Sequence, residues 1–139
     1  MRIEFKVLFA VVSFVAALSC NPSSGVAQVR EQESISLKSG ETADLGNLFW
    51  VANCKSLLTG PIVAEVMEGP PGVTVTVKQQ KVIPRKLNCA KEVSGGRLLV
   101  ASPMEVKERT QGTLTVRMKY PTKDGERQWS RSIRLTLFP

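Results

Sequence analysis

The chain has 139 residues, with 19 Lys+Arg against 12 Asp+Glu, a formal charge of +7, no histidine and three cysteines. That length accommodates one domain. The missing histidine excludes Ser-His-Asp and Cys-His catalysis and removes the commonest metal ligand. A content of 42% hydrophobic and 22% charged residues excludes a disordered basic tail and points to a small, basic, globular domain.

The N-terminus reads as an address. A short basic start with Arg2 and Lys6 precedes an apolar run over residues 7–18. This is the pattern of a secretory signal peptide, and the run is shorter than the roughly 20 residues a permanent membrane anchor needs. No integral membrane span is expected after processing. Two cleavage sites stay open. Ala17-Leu18-Ser19-Cys20 resembles a bacterial lipobox, with Cys20 as the lipidated residue, but its leucine stands one place late. Gly25-Val26-Ala27 offers small residues for ordinary cleavage after Ala27, which is the preferred reading. The expected organisation is a signal peptide over 1–27, a flexible linker over 28–33 and a folded domain over 34–139.

Either cleavage disposes of Cys20 and leaves Cys54 and Cys89. Two cysteines in an exported chain predict one disulfide. It would close a loop of 36 residues counting both ends. The chain-entropy model assigns such a loop roughly 3–4 kcal/mol. No CxxC spacing or metal-ligand cluster competes with this reading.

From Ser34 onward the hydrophobic period is two, which predicts strands. Residues 34–38 alternate and run into a Ser39-Gly40 turn. Residues 45–50 read as a strand or a short helical turn that sets Phe49 and Trp50 against the disulfide. Residues 62–67 and 97–101 are partly apolar on both faces, as expected of central strands. Gly69-Pro70-Pro71-Gly72 breaks the chain before Val73-Thr74-Val75-Thr76-Val77-Lys78, whose valines share one face. Pro84 demotes residues 81–85 to an edge or a bend. Ser94-Gly95-Gly96 reads as a turn, and residues 106–109 are an uncertain short strand.

Two strictly alternating segments close the chain, over 113–120 and 128–138. Asp124-Gly125 between them is a favoured type I′ loop. That loop would set Tyr120 opposite Trp129, Val116 opposite Ile133 and Leu114 opposite Leu135. The outward face would carry Lys119 opposite Ser130, Arg117 opposite Ser132 and Thr115 opposite Arg134. Arg131 falls on the apolar parity opposite Met118. It is expected to snorkel from the end of the core or to be turned outward by a bulge near Ser132; the functional reading is an anion-binding arginine at the sheet edge.

Seven or eight short strands with turns between them predict an all-β fold, an antiparallel β-sandwich. The order of Cys54, the strand after Pro61, the Gly-Pro-Pro-Gly turn, the valine strand, Cys89, Gly95-Gly96 and the final Lys-Asp-Gly hairpin resembles exported bacterial immunoglobulin-like and cadherin-like domains. The resemblance is architectural and covers about residues 34–139. It implies an immunoglobulin-like sandwich that binds proteins or glycans, or serves as a spacer, and it brings no catalytic residues. The chain departs from the antibody pattern: no Trp lies midway between the cysteines, and no Tyr stands two before Cys89.

The acidic residues form no recognisable general acid–base pair, and the chain has no P-loop and no GxGxxG. A Ser-Lys dyad is marked by no motif. The expectation is a non-enzymatic protein without cofactor or metal. Beyond residue 27 the charge is +6, and residues 109–139 alone carry +5. Arg117, Lys119 and Arg134, with Arg131, are therefore the candidate binding residues for an anionic partner: a protein, an anionic polysaccharide or a membrane surface. Against this stands a solvated, charged face that only prevents sheet-to-sheet association. Nucleic acid is not expected, because no aromatics interleave with the outward basic residues. The reading is an exported binding or structural module of the bacterial periplasm or cell envelope. The alternative is a secreted inhibitor of an envelope or extracellular enzyme.

Overall fold

Alternating apolar residues dominate the architecture. The computed structural model describes residues 33–139, so the signal-peptide, Cys20 and most linker readings lie outside the described residues. Nine strands are described: β1 (Ser34–Lys38), β2 (Thr42–Leu48), β3 (Val51–Ala52), β4 (Lys55–Ser56), β5 (Val63–Glu68), β6 (Thr74–Val82), β7 (Val93–Ala101), β8 (Thr110–Thr122) and β9 (Gly125–Phe138). One short 3-10 turn, Arg85–Leu87, follows Pro84. Seven strands build two sheets, one ordered β1-β9-β8-β5 and the other β2-β7-β6; β3 and β4 form a separate small hairpin. All pairs are antiparallel except β1 with β9, which run parallel from Ser34↔Arg134 to Lys38↔Phe138.

The core lies between the two sheets. Leu98 and Val100 of β7 face Leu114, Val116 and Met118 of β8 and Ile133, Leu135 and Leu137 of β9, all buried. Burying each such side chain contributes on the order of 1.5–3 kcal/mol. The period-two pattern of β8 and β9 therefore fixes their inward face. The valines of 73–77 point inward as expected, while Thr74 and Thr76 are exposed. β6 ends at Val82 and lies at the edge of its sheet, in line with the Pro84 signal.

Four local expectations are corrected. Asp124-Gly125 is not the hairpin loop. Thr122 pairs with Gly125, so the loop is Lys123-Asp124 and the whole register moves by two residues. Only Gly125 takes a positive φ, +108°, whereas a type I′ turn needs it at both loop positions. The Thr122 hydroxyl accepts from the Asp124 N–H and donates to the Gly125 carbonyl, which holds this alternative turn. A two-residue shift keeps every side chain on its face, so the core was unaffected.

Ser94-Gly95-Gly96 is not a turn but the start of β7. A Cβ on Gly95 would sit 2.3 Å from the Leu48 carbonyl oxygen, and one on Gly96 would sit 2.7 Å from Val77 Cγ1. The glycines permit close backbone approach inside a sheet. β5 is an edge strand, not a central one. Val63, Val66 and Met67 are all exposed, Val66 even though it pairs with buried Val116, and a register shift between Val66 and Glu68 breaks the pairing. Residues 106–109 form no strand; buried Val106 is instead held by its N–H donating to the Ser39 hydroxyl at 2.9 Å.

Candidate functional site: a basic groove at the β8–β9 tip

Cys54 and Cys89 form the expected disulfide, with Cα atoms 5.4 Å apart. It joins the β3–β4 turn to the connection before β7. Asn53 and Cys54 both adopt positive φ, +49° and +59°, so this turn has the type I′ signature. The small hairpin is also tied to β8. Leu57 N–H donates to the Trp50 carbonyl at 2.8 Å, and Thr59 N–H donates to the Pro121 carbonyl at 3.0 Å. Trp50 stacks on Tyr120 with ring centroids 3.8 Å apart and planes 14° from parallel. Tyr120 was expected to face Trp129, and Trp50 to lie against the disulfide; the ring partner the structure gives to each is the other.

These ties place the β3–β4 hairpin beside the tip of β8–β9 and leave a groove of about 440 Å³ between them. Leu57, Leu58 and Tyr120 supply apolar lining, and Lys55, Lys123 and Arg127 bring three cations to it. Asp124 is the single acidic residue of that lining. Arg127 reaches the groove because the observed register sets it opposite Tyr120.

The sequence-predicted residues are arranged differently. Arg117 and Lys119 share the outward face of β8, and both approach the Glu65 carboxylate of β5, at 3.5 and 3.3 Å. One acid thus offsets part of the charge of two bases. Arg134 was expected opposite Thr115 but lies opposite Thr113. Four residues separate Thr113 from Arg117, which is about 13 Å along a strand. Arg134 therefore stands apart from the other two on the same outer face.

Arg131 keeps the inward parity, opposite Val116 and not Met118. Its guanidinium donates to the Leu45 carbonyl at 3.0 Å and to the Glu33 carboxylate. Leu45 lies where the β2–β7 register shifts between Asp44 and Asn47, so its carbonyl is out of line with the ladder. Arg131 bridges the two sheets at that irregularity, and its side chain is only 22% exposed. The charged head is thus held by partners within the protein and not left in solvent, as snorkelling would leave it.

The sequence reading missed Lys55, Lys123 and Arg127. Lys123 and Arg127 bracket the Asp-Gly signal, but the expected register set Arg127 opposite Thr122 and not Tyr120. Lys55 adjoins Cys54 and carried no signal of its own. Among the described residues no group of His, Cys, Asp and Glu stands ready to hold a metal ion, and no helix is long and apolar enough to cross a membrane. No family model, curated protein or solved structure matches the chain.

Proposed function

We propose that the chain is a non-enzymatic, exported binding or structural module of the bacterial periplasm or cell envelope, and that its β8–β9 hairpin meets an anionic partner. The immunoglobulin-like assignment and the signal peptide over 1–27 belong to this reading. The disulfide supports an oxidising compartment, and the absence of histidine supports a non-catalytic role. The observation that carries the proposal is the convergence of Lys55, Lys123 and Arg127 on one groove against a single carboxylate, Asp124. Cations around a concave, partly apolar surface raise the local concentration of an anionic ligand and fix its orientation.

The test is capture from envelope extract by the exported protein, at low and at high salt. The expected result is a partner retained at low salt, released at high salt, and lost with the charge reversal K55E/K123E/R127E. Retention that ignores both salt and the reversal would overturn the reading. A single enzyme captured in stoichiometric amount would mark the protein as that enzyme's inhibitor.

A further inference from the structure

Next to the groove stands a large apolar side chain that the core does not use. Trp129 lies on the inward parity of β9, paired with buried Met118, yet it is 45% exposed. Along this stretch β9 pairs only with β8 among the described residues, since β1 begins beside Arg134. Trp129 is two residues from Arg127, so both side chains leave the strand on the same side, about 7 Å apart along it. A half-exposed indole thus lies in line with the cationic groove.

We propose, resting on the anionic-partner reading above, that the groove and Trp129 together bind an acidic polysaccharide. Three features select this class. An indole face carries negative quadrupole potential and attracts the weakly positive C–H face of a sugar ring. Lys55, Lys123 and Arg127 provide charge-assisted hydrogen bonds for a uronate carboxylate or a sulfate. Asp124 supplies an acceptor for sugar hydroxyl groups, a need that a polyglutamate chain does not have. A bilayer surface also fits poorly, because Trp129 sits on the flank of the hairpin and not at its tip. A groove of about 440 Å³ falls within the size range of small-ligand sites.

The test is calorimetric titration of the intact exported protein with polygalacturonate oligosaccharides, beside neutral dextran, polyglutamate and phosphatidylglycerol vesicles. Tryptophan emission is followed in parallel. Polygalacturonate is expected to bind and to shift emission, and dextran to bind at least tenfold more weakly. W129A and K123E/R127E should each lower the affinity at least tenfold, with the melting temperature nearly unchanged because all three residues are exposed. W129F should retain part of it. R117E/K119E, outside the groove, should leave the affinity within about twofold. If polyglutamate or vesicles bind as tightly as the glycan and W129A binds normally, the polysaccharide proposal falls while the anionic-partner reading stands. If no anionic probe binds, both fall.

Discussion

The side-chain amide of Gln79 bonds both backbone groups of Ile62. Its oxygen accepts from the Ile62 N–H at 3.1 Å, and its nitrogen donates to the Ile62 carbonyl at 2.7 Å. One side chain thereby does the work of a strand partner, at the place where β6 of one sheet passes the entry to β5 of the other. Ile62 itself is buried, so its backbone groups would otherwise lack water.

Replacing Gln79 is therefore expected to weaken the sandwich. Q79A should lower unfolding stability by about 1–3 kcal/mol, the cost of leaving buried polar groups unpaired. Q80A, next to it, should stay within about 0.5 kcal/mol. Urea unfolding of the two variants checks the difference; equal costs would show that the clamp contributes nothing.

At Gly95 the expected effect is larger for a smaller change. G95A sets a methyl group 2.3 Å from the Leu48 oxygen and 2.8 Å from Val82 Cγ2. The β2–β7 pairing must shift, costing about 1–3 kcal/mol or more. G46A, whose added methyl meets nothing within 4 Å, separates crowding from conformation, because Gly46 has φ +98° and strains for that reason alone. Thermal unfolding is the measurement, and backbone-amide chemical shifts around Leu48 should move only for G95A.

Loss of the disulfide should cost about 3–4 kcal/mol in the double variant C54A/C89A. Part of that cost depends on what replaces Cys54, which holds φ +59°. A non-glycine residue there bears a penalty of roughly 1–2 kcal/mol, so C54G/C89A should be the more stable of the pair. The opposite order would show that the turn relaxes once the bridge is gone.

For Arg131 the two partners should have unequal worth. R131M keeps the aliphatic packing but strands the Leu45 carbonyl, with an expected loss of about 1–2 kcal/mol. E33Q removes only an ion pair to a carboxylate that is 46% exposed, worth less than about 1 kcal/mol. Denaturant midpoints at low and high salt check both: the E33Q loss should shrink with salt, whereas the larger part of the R131M loss, from the Leu45 carbonyl, should remain.

Much of this was legible in the residues. The valine–threonine alternation of 73–77 and the apolar parity of 113–137 placed the inward faces correctly, because a strand has one side-chain period. Pro84 marked the end of an edge strand. The glycines at 95–96 were misread because a glycine that relieves crowding looks, in sequence, like one that turns the chain. Residues 62–67 looked central because exposed apolar residues on an edge give the same pattern as buried ones.

The candidate site was legible only in part. Basic residues of the last hairpin were visible, but which of them meet depended on whether the loop was Lys123-Asp124 or Asp124-Gly125. The difference was settled by the Thr122 hydroxyl bonding into the turn. It moved Arg134 away from Arg117 and brought Arg127 opposite Tyr120.

By itself the sequence determined the strand period, the two faces, the disulfide pairing and a charge gathered near the C-terminus, since each depends on residue type and local spacing alone. Only the tertiary structure decided where that charge can act. Glu65 reaches Arg117 and Lys119 from a strand some fifty residues earlier, and Leu45 and Glu33 engage Arg131. The Trp50–Tyr120 stack, with the backbone bonds beside it, brings Lys55 to the tip that carries Lys123 and Arg127. Such long-range partners have no trace in local spacing, because they follow from which edges and turns the packed sheets set side by side.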